Sequence, residues 1–422
     1  MQPIPTYIIN LKKRAERKEH ILLEFSGRAE FSPRIVEAQE REEGALGLWL
    51  TIRQIIQEAV TLQQAYIILC EDDHTFLPHY QASVLHAAIA EADARQADIL
   101  SGGVSWFNNA LPVSDTLYWV EKFSGMQFTI IFSRFFQPLL DAAFTTDDAA
   151  DTKTSHLTDN KYFIYPFISG QREFGYSDVT PRNNREGRVS TLFDNSLKKA
   201  GAVKYICEYY RQLHEKMVTD DTATYDGISI PTFVISLPGG PDRQAHVQQQ
   251  FRGKSEFSVV HLTAHRQENG GPDLWKTFRE IIATAHSNED DVIIICQDSH
   301  LFTAHYSRDY LLRNIIEAYR QGTTLLSGMV YEFDIAVPVT TNRFWLNSLS
   351  SLQFLVVYKS IFQKILQQET TGKMAVHRAL SDITSYKMVL FPFISAHKDF
   401  SFNNAVPRLQ LARRIYDIHR LK

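Results

Sequence analysis

Apolar residues recur along this chain in short continuous runs that alternate with longer stretches of helical spacing. Residues 7–11 form a brief apolar run, and residues 12–25 are charged with helical periodicity. Leu48, Ile52, Ile55, Ile56 and Ala59 then fall on one face of a helix, and Leu274, Phe278, Ile281, Ile282 and Ala285 repeat that face. Residues 66–70 and 292–296 are continuously apolar, as expected of strands buried on both faces of a mostly parallel sheet. Strands alternating with helices of this length predict an α/β fold with an open sheet flanked by helices.

The pattern is also a repeat. Pro5-Thr6-Tyr7-Ile8-Ile9 returns as Pro231-Thr232-Phe233-Val234-Ile235, an offset of 226. The same offset carries Arg17 to Arg243, Trp49 to Trp275, Cys70 to Cys296, Gln127-Phe128 to Gln353-Phe354, and Pro181-Arg182 to Pro407-Arg408. A constant offset over such a span means that elements and loops match in length, so the chain reads as two copies of one domain. The expected organisation is a first domain at 1–190, a helical connector and linker at 191–227, and a second domain at 228–422. Two related domains in one chain are expected to pack together as a homodimer would.

Composition adds exclusions. The 422 residues are 44% hydrophobic and 22% charged, with a formal net charge of −4, which gives no basic field for nucleic acid. No apolar run reaches the length of a membrane span. Three cysteines do not make a disulfide framework, and Cys70 and Cys296 close apolar runs as core residues do. With no basic n-region and long apolar stretch at the start, the expected compartment is cytoplasmic.

The candidate chemistry follows the third apolar element. Glu71, Asp72 and Asp73 stand directly after residues 66–70, at the carboxyl edge of the sheet where such folds place ligands. Three adjacent negative charges repel one another unless they are solvated or face a cation, and Mg²⁺ or Mn²⁺ takes oxygen ligands of this kind. The second copy has Gln297-Asp298-Ser299 there, one carboxylate for three, while His74 and Phe76 persist as His300 and Phe302. Residues 171–178 diverge in the same way: Asp178 becomes Asn404 and Tyr176 becomes Phe402. Core positions persist and polar groups change, the pattern of one active and one inactive copy. His74 and the Trp49 and Trp275 pair, kept in both copies, read as structural.

At Tyr7-Ile8-Ile9-Asn10-Leu11 with Arg14 and Arg17, the chain resembles the opening of the family 25 glycosyltransferases, the lipooligosaccharide and collagen galactosyltransferase group. The resemblance continues at residues 66–73, similar to that family's strand and Glu-Asp-Asp element, and at Tyr165-Pro166. It departs at Gly44-Ala45-Leu46-Gly47-Leu48-Trp49, which lacks the family's cysteine and histidine, and at Gly240, which stands opposite Arg14. The resemblance implies two tandem GT-A-like domains, a nucleotide-sugar donor (a UDP-sugar), a Mn²⁺-type cofactor, and a saccharide or protein acceptor.

On this reading Glu71, Asp72 and Asp73 hold the metal, and Asn10, Arg17 and Asp72 meet the nucleotide. A general base near the acceptor hydroxyl is required for an inverting reaction, and Asp178 and Asp151 are the candidates, opposite Asn404 and His377. Two other classes share these features: a metal-dependent nucleotidyltransferase, and a non-enzymatic binding module built from two such domains.

Overall fold

The computed structural model describes residues 2–176, 184–216, 225–236, 241–266, 272–368, 375–399 and 403–420. The chain divides into two compact units, Met1–Tyr205 with His419–Lys422, and Ile206–Ile418.

The first unit begins with β1 (Ile4–Asn10), α1 (Ala15–Phe25), β2 (Phe31–Glu37), α2 (Gly44–Thr61), β3 (Tyr66–Glu71), β4 (His74–Phe76) and α3 (Ala82–Ala94). It continues through β5 (Ile99–Ser101), β6 (Trp106–Phe107), β7 (Ala110–Pro112), β8 (Leu117–Val120), β9 (Phe123–Ser124) and β10 (Phe128–Phe132). Then come α4 (Phe136–Asp141), α5 (Ala150–His156), β11 (Lys161–Ile164), β12 (Ser169–Gln171) and the long α6 (Arg188–Lys216). The boundary between the units falls inside α6. The expected linker after it, at 218–226, lies mostly outside the described residues.

The main sheet has the order β2-β1-β3-β10-β5-β11-β8-β7. Its pairings run six strands one way, with β10 and β8 opposed. The fold is thus mixed α/β with a mostly parallel sheet, as the continuous apolar runs imply. Ile67, Ile68, Leu69 and Cys70 of β3 are all buried, because strands on either side and helices over the faces leave no solvent contact. Helix α2 buries Trp49, Ile52, Ile55, Ile56 and Ala59, the face that its spacing predicts.

Two features position the site. In the parallel block β2-β1-β3, Asn10 stands beside Glu37 and Ile9 beside Glu71, so the carboxyl ends of three strands finish together. A separate ribbon pairs β4 with β12, setting His74 against Gln171. That ribbon returns the chain to the end of β3.

The second unit has the same strand order, built from Phe257–Thr263, Ile230–Ser236, Val292–Gln297, Phe354–Tyr358, Leu325–Ser327, Lys387–Leu390, Arg343–Leu346 and Ala336–Thr340. Its registers match too: Thr232 pairs with Ile294 as Thr6 pairs with Ile68. Cys70 and Cys296 are buried and free, and His74 and His300 each hydrogen-bond a serine hydroxyl in the core, Ser169 and Ser395, at 2.8 Å. Burial pushes both imidazoles down to about 3, so they are neutral packing groups. No helix among the described residues is long and apolar enough to cross a membrane.

The units differ at the first turn of one helix. Helix α2 starts at Gly44, whereas its counterpart Leu274–Ser287 starts four positions later, with Asp273 capping Lys276 N–H at 2.9 Å. Gly47, opposite Asp273, sits against the chain that follows β2: a Cβ there would lie 2.2 Å from the Gln39 carbonyl oxygen. Backbone on both sides leaves little room to relax. Gly47→Ala is therefore expected to cost about 1–3 kcal/mol, read as a lowered urea midpoint; an unchanged midpoint would show that the turn yields freely.

Candidate functional site

The three carboxylates after β3 do not share one environment. Asp72 is 3% exposed and faces inward. Its Oδ2 accepts from Asn10 Nδ2 at 2.9 Å and lies 3.5 Å from Arg14 Nη1, and its Oδ1 accepts from Arg17 Nη1 at 3.2 Å. A buried charge is tolerable only with this degree of pairing. Asp73 stands on the other side of the turn. Its Oδ2 accepts from the same Arg17 Nη1 at 3.0 Å, and its Oδ1 lies 3.4 Å from Gln171 Nε2. Backbone supports it, through Arg172 N–H donating to the Asp73 carbonyl at 2.7 Å.

Arg17 is itself enclosed. Its Nη2 donates to the Tyr176 carbonyl at 2.7 Å, and the Phe174 and Tyr176 rings lie 4.8 and 4.5 Å from its guanidinium carbon. This aromatic cover excludes water and strengthens the ion pairs beneath.

Positive charge here falls short of negative charge. Loss of solvent pushes the Asp73 carboxyl up to about 6, with Asp72 adding to the rise and Arg17 and Arg14 opposing it. Glu71 is pushed well above the usual carboxylate range, by loss of solvent first and then by Asp73, Asp151 and Asp72. Near Glu71 a further acceptor is unsatisfied: the buried Gln127 side-chain oxygen has no partner among the described residues. Its own backbone carbonyl accepts from Glu71 N–H at 3.1 Å.

Two clefts meet at this turn. One, of about 190 Å³, is lined by Glu71, Asp73, Asp151, Gln171, Arg14 and Arg17 among others. The second, of about 310 Å³, lies over the ends of β1 and β2 and the start of α2, with Lys13, Arg14, Gln39, Arg41, Glu71 and Asp72 in its wall. Glu71 and Arg14 belong to both.

The structure thus redistributes the expected roles. Of the three expected metal ligands, Glu71 and Asp73 line one cleft, and Asp72, paired with Asn10, Arg14 and Arg17, lines the second with Glu71. Among the described residues no group of three or more His, Cys, Asp and Glu side chains is arranged to hold a metal ion. Asn10 and Arg17 are both buried and orient the acidic turn itself. Asp151, in the first turn of α5, lies in the Glu71 cleft; its Oδ2 accepts from Gly125 N–H at 2.9 Å and its Oδ1 from Thr152 N–H at 2.7 Å. Asp178 lies outside the described residues. Gln171 and the Arg17 cover from Phe174 were not singled out from sequence as site residues; the signal for Gln171 was its divergence to His397, whereas Phe174 has Phe400 opposite it and gave none.

The second unit resolves the same geometry with neutral groups. Asp298 keeps its arginine, Arg243 Nη1 at 3.0 Å. Gln353 Nε2 donates to Gln297 Oε1 at 2.8 Å, and Ser299 Oγ donates to Gln353 Oε1 at 3.2 Å. The amide oxygen left open at Gln127 is satisfied here by a hydroxyl that Asp73 lacks.

Two expectations follow. A carboxyl whose pKa rises on folding holds more protons in the native than in the unfolded state, so stability falls as pH rises between the two values. For Asp73 that window runs from 3.8 to about 6; cation-free protein should lose stability across it, and Asp73→Asn should flatten the slope of unfolding free energy against pH. An unaltered slope would remove Asp73 as the cause. Arg17→Ala leaves Asp72 buried without its main partner and should cost about 3–5 kcal/mol. Arg243→Ala should cost less, because the Arg243 side chain is 48% exposed where that of Arg17 is 5% exposed; parallel urea titrations compare them.

No protein-family model matches the chain, and no curated protein does. Solved structures to which it is similar include A197 from STIV, with TM-score 0.29 and 11% identity, covering 40% of this chain and 85% of that one. UDP-glucose pyrophosphorylase complexed with UDP-glucose has TM-score 0.28 and 11% identity, covering 46% and 81%. Mannose-1-phosphate geranyltransferase from Thermus thermophilus has TM-score 0.25 and 9% identity, covering 68% and 100%. At these scores the likenesses carry no argument about activity.

Proposed function

We propose that the first unit is a divalent-cation-dependent glycosyltransferase of GT-A type, related to the family 25 enzymes and using a nucleotide-sugar donor such as a UDP-sugar. The second unit is its non-catalytic relative. The observation that carries this reading is the charge imbalance at the end of β3: Glu71 and Asp73 are both pushed up in pKa and line one cleft, while their counterparts are the neutral Gln297 and Ser299.

The residues fit a hard cation. Glu71 and Asp73 supply carboxylate oxygens, and the unsatisfied Gln127 oxygen marks a surplus of acceptors over donors. Bound there, Mn²⁺ or Mg²⁺ would act as a Lewis acid on the diphosphate leaving group. Asp72 takes no part in ligation on this reading and holds Arg14 and Arg17 in place.

The two clefts divide the substrates. The cleft over β1 and β2 offers Lys13, Arg14 and Arg41 to a nucleotide. The cleft between Glu71 and Asp151 is left for the acceptor saccharide or protein side chain. In transfer, the bond from the sugar C1 to the phosphate oxygen breaks and a bond from C1 to the acceptor oxygen forms. The acceptor proton passes to a base, and Asp151 is the carboxylate assigned to take it, through Oδ2, which accepts from Gly125 N–H, while Oδ1 accepts from both the N–H and the hydroxyl of Thr152.

Mn²⁺ with a panel of nucleotide sugars should raise the melting temperature and support slow donor hydrolysis. Glu71→Gln and Asp73→Ser, which install the residues of the second unit, should each lower that turnover by at least about a hundredfold. Asp298→Asn should leave it unchanged. Full metal-dependent turnover in Asp73→Ser, or its loss in Asp298→Asn, would refute the assignment.

A further inference from the structure

The second unit contains a cavity of about 450 Å³ that the acidic turn does not account for. Thr303, His305, Tyr331, Phe391, Phe393 and Gln410 are among its walls, and among the described residues no carboxylate, lysine or arginine lines it. A volume of this order suits a small organic ligand, and walls that are mainly apolar with a few polar groups are the usual form of such a site.

Comparison with the first unit shows how the walls differ. Opposite Thr303 stands Leu77, and opposite Ala396 stands Gly170. Leu77 packs directly on Gly170, where an added Cβ would lie 3.2 Å from Leu77 Cδ2. Thr303 is shorter, and its hydroxyl turns to the Phe393 carbonyl at 2.6 Å. Ala396 adds a methyl where Gly170 has none, so the two exchanges nearly cancel in volume and change the shape and polarity of the wall. At one edge Tyr331 replaces Ser105, adding a ring to the wall. Ser105 and Gln171 line the acidic cleft of the first unit, and their counterparts Tyr331 and His397 line this cavity. The cavity therefore borders the place that corresponds to the Glu71 and Asp151 cleft.

We propose that this cavity binds a neutral saccharide. A sugar ring presents an apolar C–H face and a rim of hydroxyls. The rings of Tyr331, Phe391 and Phe393 supply apolar walls, and His305 and Gln410, both exposed, bring hydrogen-bonding side chains to the same site. A phosphorylated or carboxylated sugar would lose its hydration here with no cation to replace it. The binding is independent of catalysis by the first unit, so either reading can fail alone.

The test uses the full chain with lactose, maltose and N,N′-diacetylchitobiose, followed by saturation-transfer NMR and calorimetry. At least one should bind with a dissociation constant on the order of 1 mM, and glucose 6-phosphate should not compete. Thr303→Leu, which puts a bulkier apolar side chain in the cavity wall beside Ala396 and removes the hydroxyl bond to Phe393, should weaken binding by about tenfold or more, with folding checked by the melting temperature. Tyr331→Ser should weaken it as well without filling the cavity. Absence of binding by all three saccharides, undiminished binding in both variants, or displacement by glucose 6-phosphate would overturn the proposal.

Discussion

Two guanidinium groups face three consecutive carboxylates at the end of β3, and much of the first unit is arranged around that shortfall. Arg17 is shared between Asp72 and Asp73 through a single nitrogen, Nη1. Each of its two N–H groups can meet one carboxylate, but loss of solvent, and then the charge of Asp72, still hold the Asp73 carboxyl above its ordinary range against the pull of Arg17 and Arg14. Glu71 is pushed well above its ordinary range, by loss of solvent first and then by Asp73, Asp151 and Asp72. Such a cluster is costly in isolation, and the proposed cation would relieve that cost at one point of the sheet edge.

Sheet geometry decides where that point lies. The parallel block β2-β1-β3 brings three carboxyl ends to one edge, and the opposed strand β10 closes the other side of β3. The ribbon of β4 and β12 then folds Gln171 and Arg172 back onto Asp73. Phe174 and Tyr176 continue from it over Arg17. Each contact links residues far apart in sequence, yet all depend on the short turn between β3 and β4.

Much of this was legible in the chain. The apolar face of α2, the buried run in β3 and the core histidines follow from periodicity and from the constant offset between the copies, because burial on a regular element imposes a repeating pattern on sequence. The location of the acidic site was legible for the same reason, since its strand is unmistakable. What sequence did not reveal was direction. Adjacent residues leaving a strand end point to different sides, and only the fold shows that Asp72 turns inward to Asn10 and the arginines while Glu71 and Asp73 reach the cleft. The cavity of the second unit was equally hidden, because Thr303 and Ala396 read as ordinary divergence from Leu77 and Gly170 until the fold brings the members of each pair together.

The second unit separates what the fold needs from what the site adds. Of the three acidic positions, only the middle one survives as a carboxylate, Asp298, and it keeps its arginine, Arg243. The flanking positions became Gln297 and Ser299, both tied to Gln353. If all three carboxylates served the framework, the middle one would have no special claim to persist. If none did, a buried Asp298 with its desolvation cost would have been the first to be replaced by a neutral group. Its retention identifies the pair of Asp72 and Arg17 as the brace of the turn. Glu71 and Asp73, which have the neutral Gln297 and Ser299 opposite them, are not needed for that brace, and they are the part of the motif to which the proposed cation is assigned.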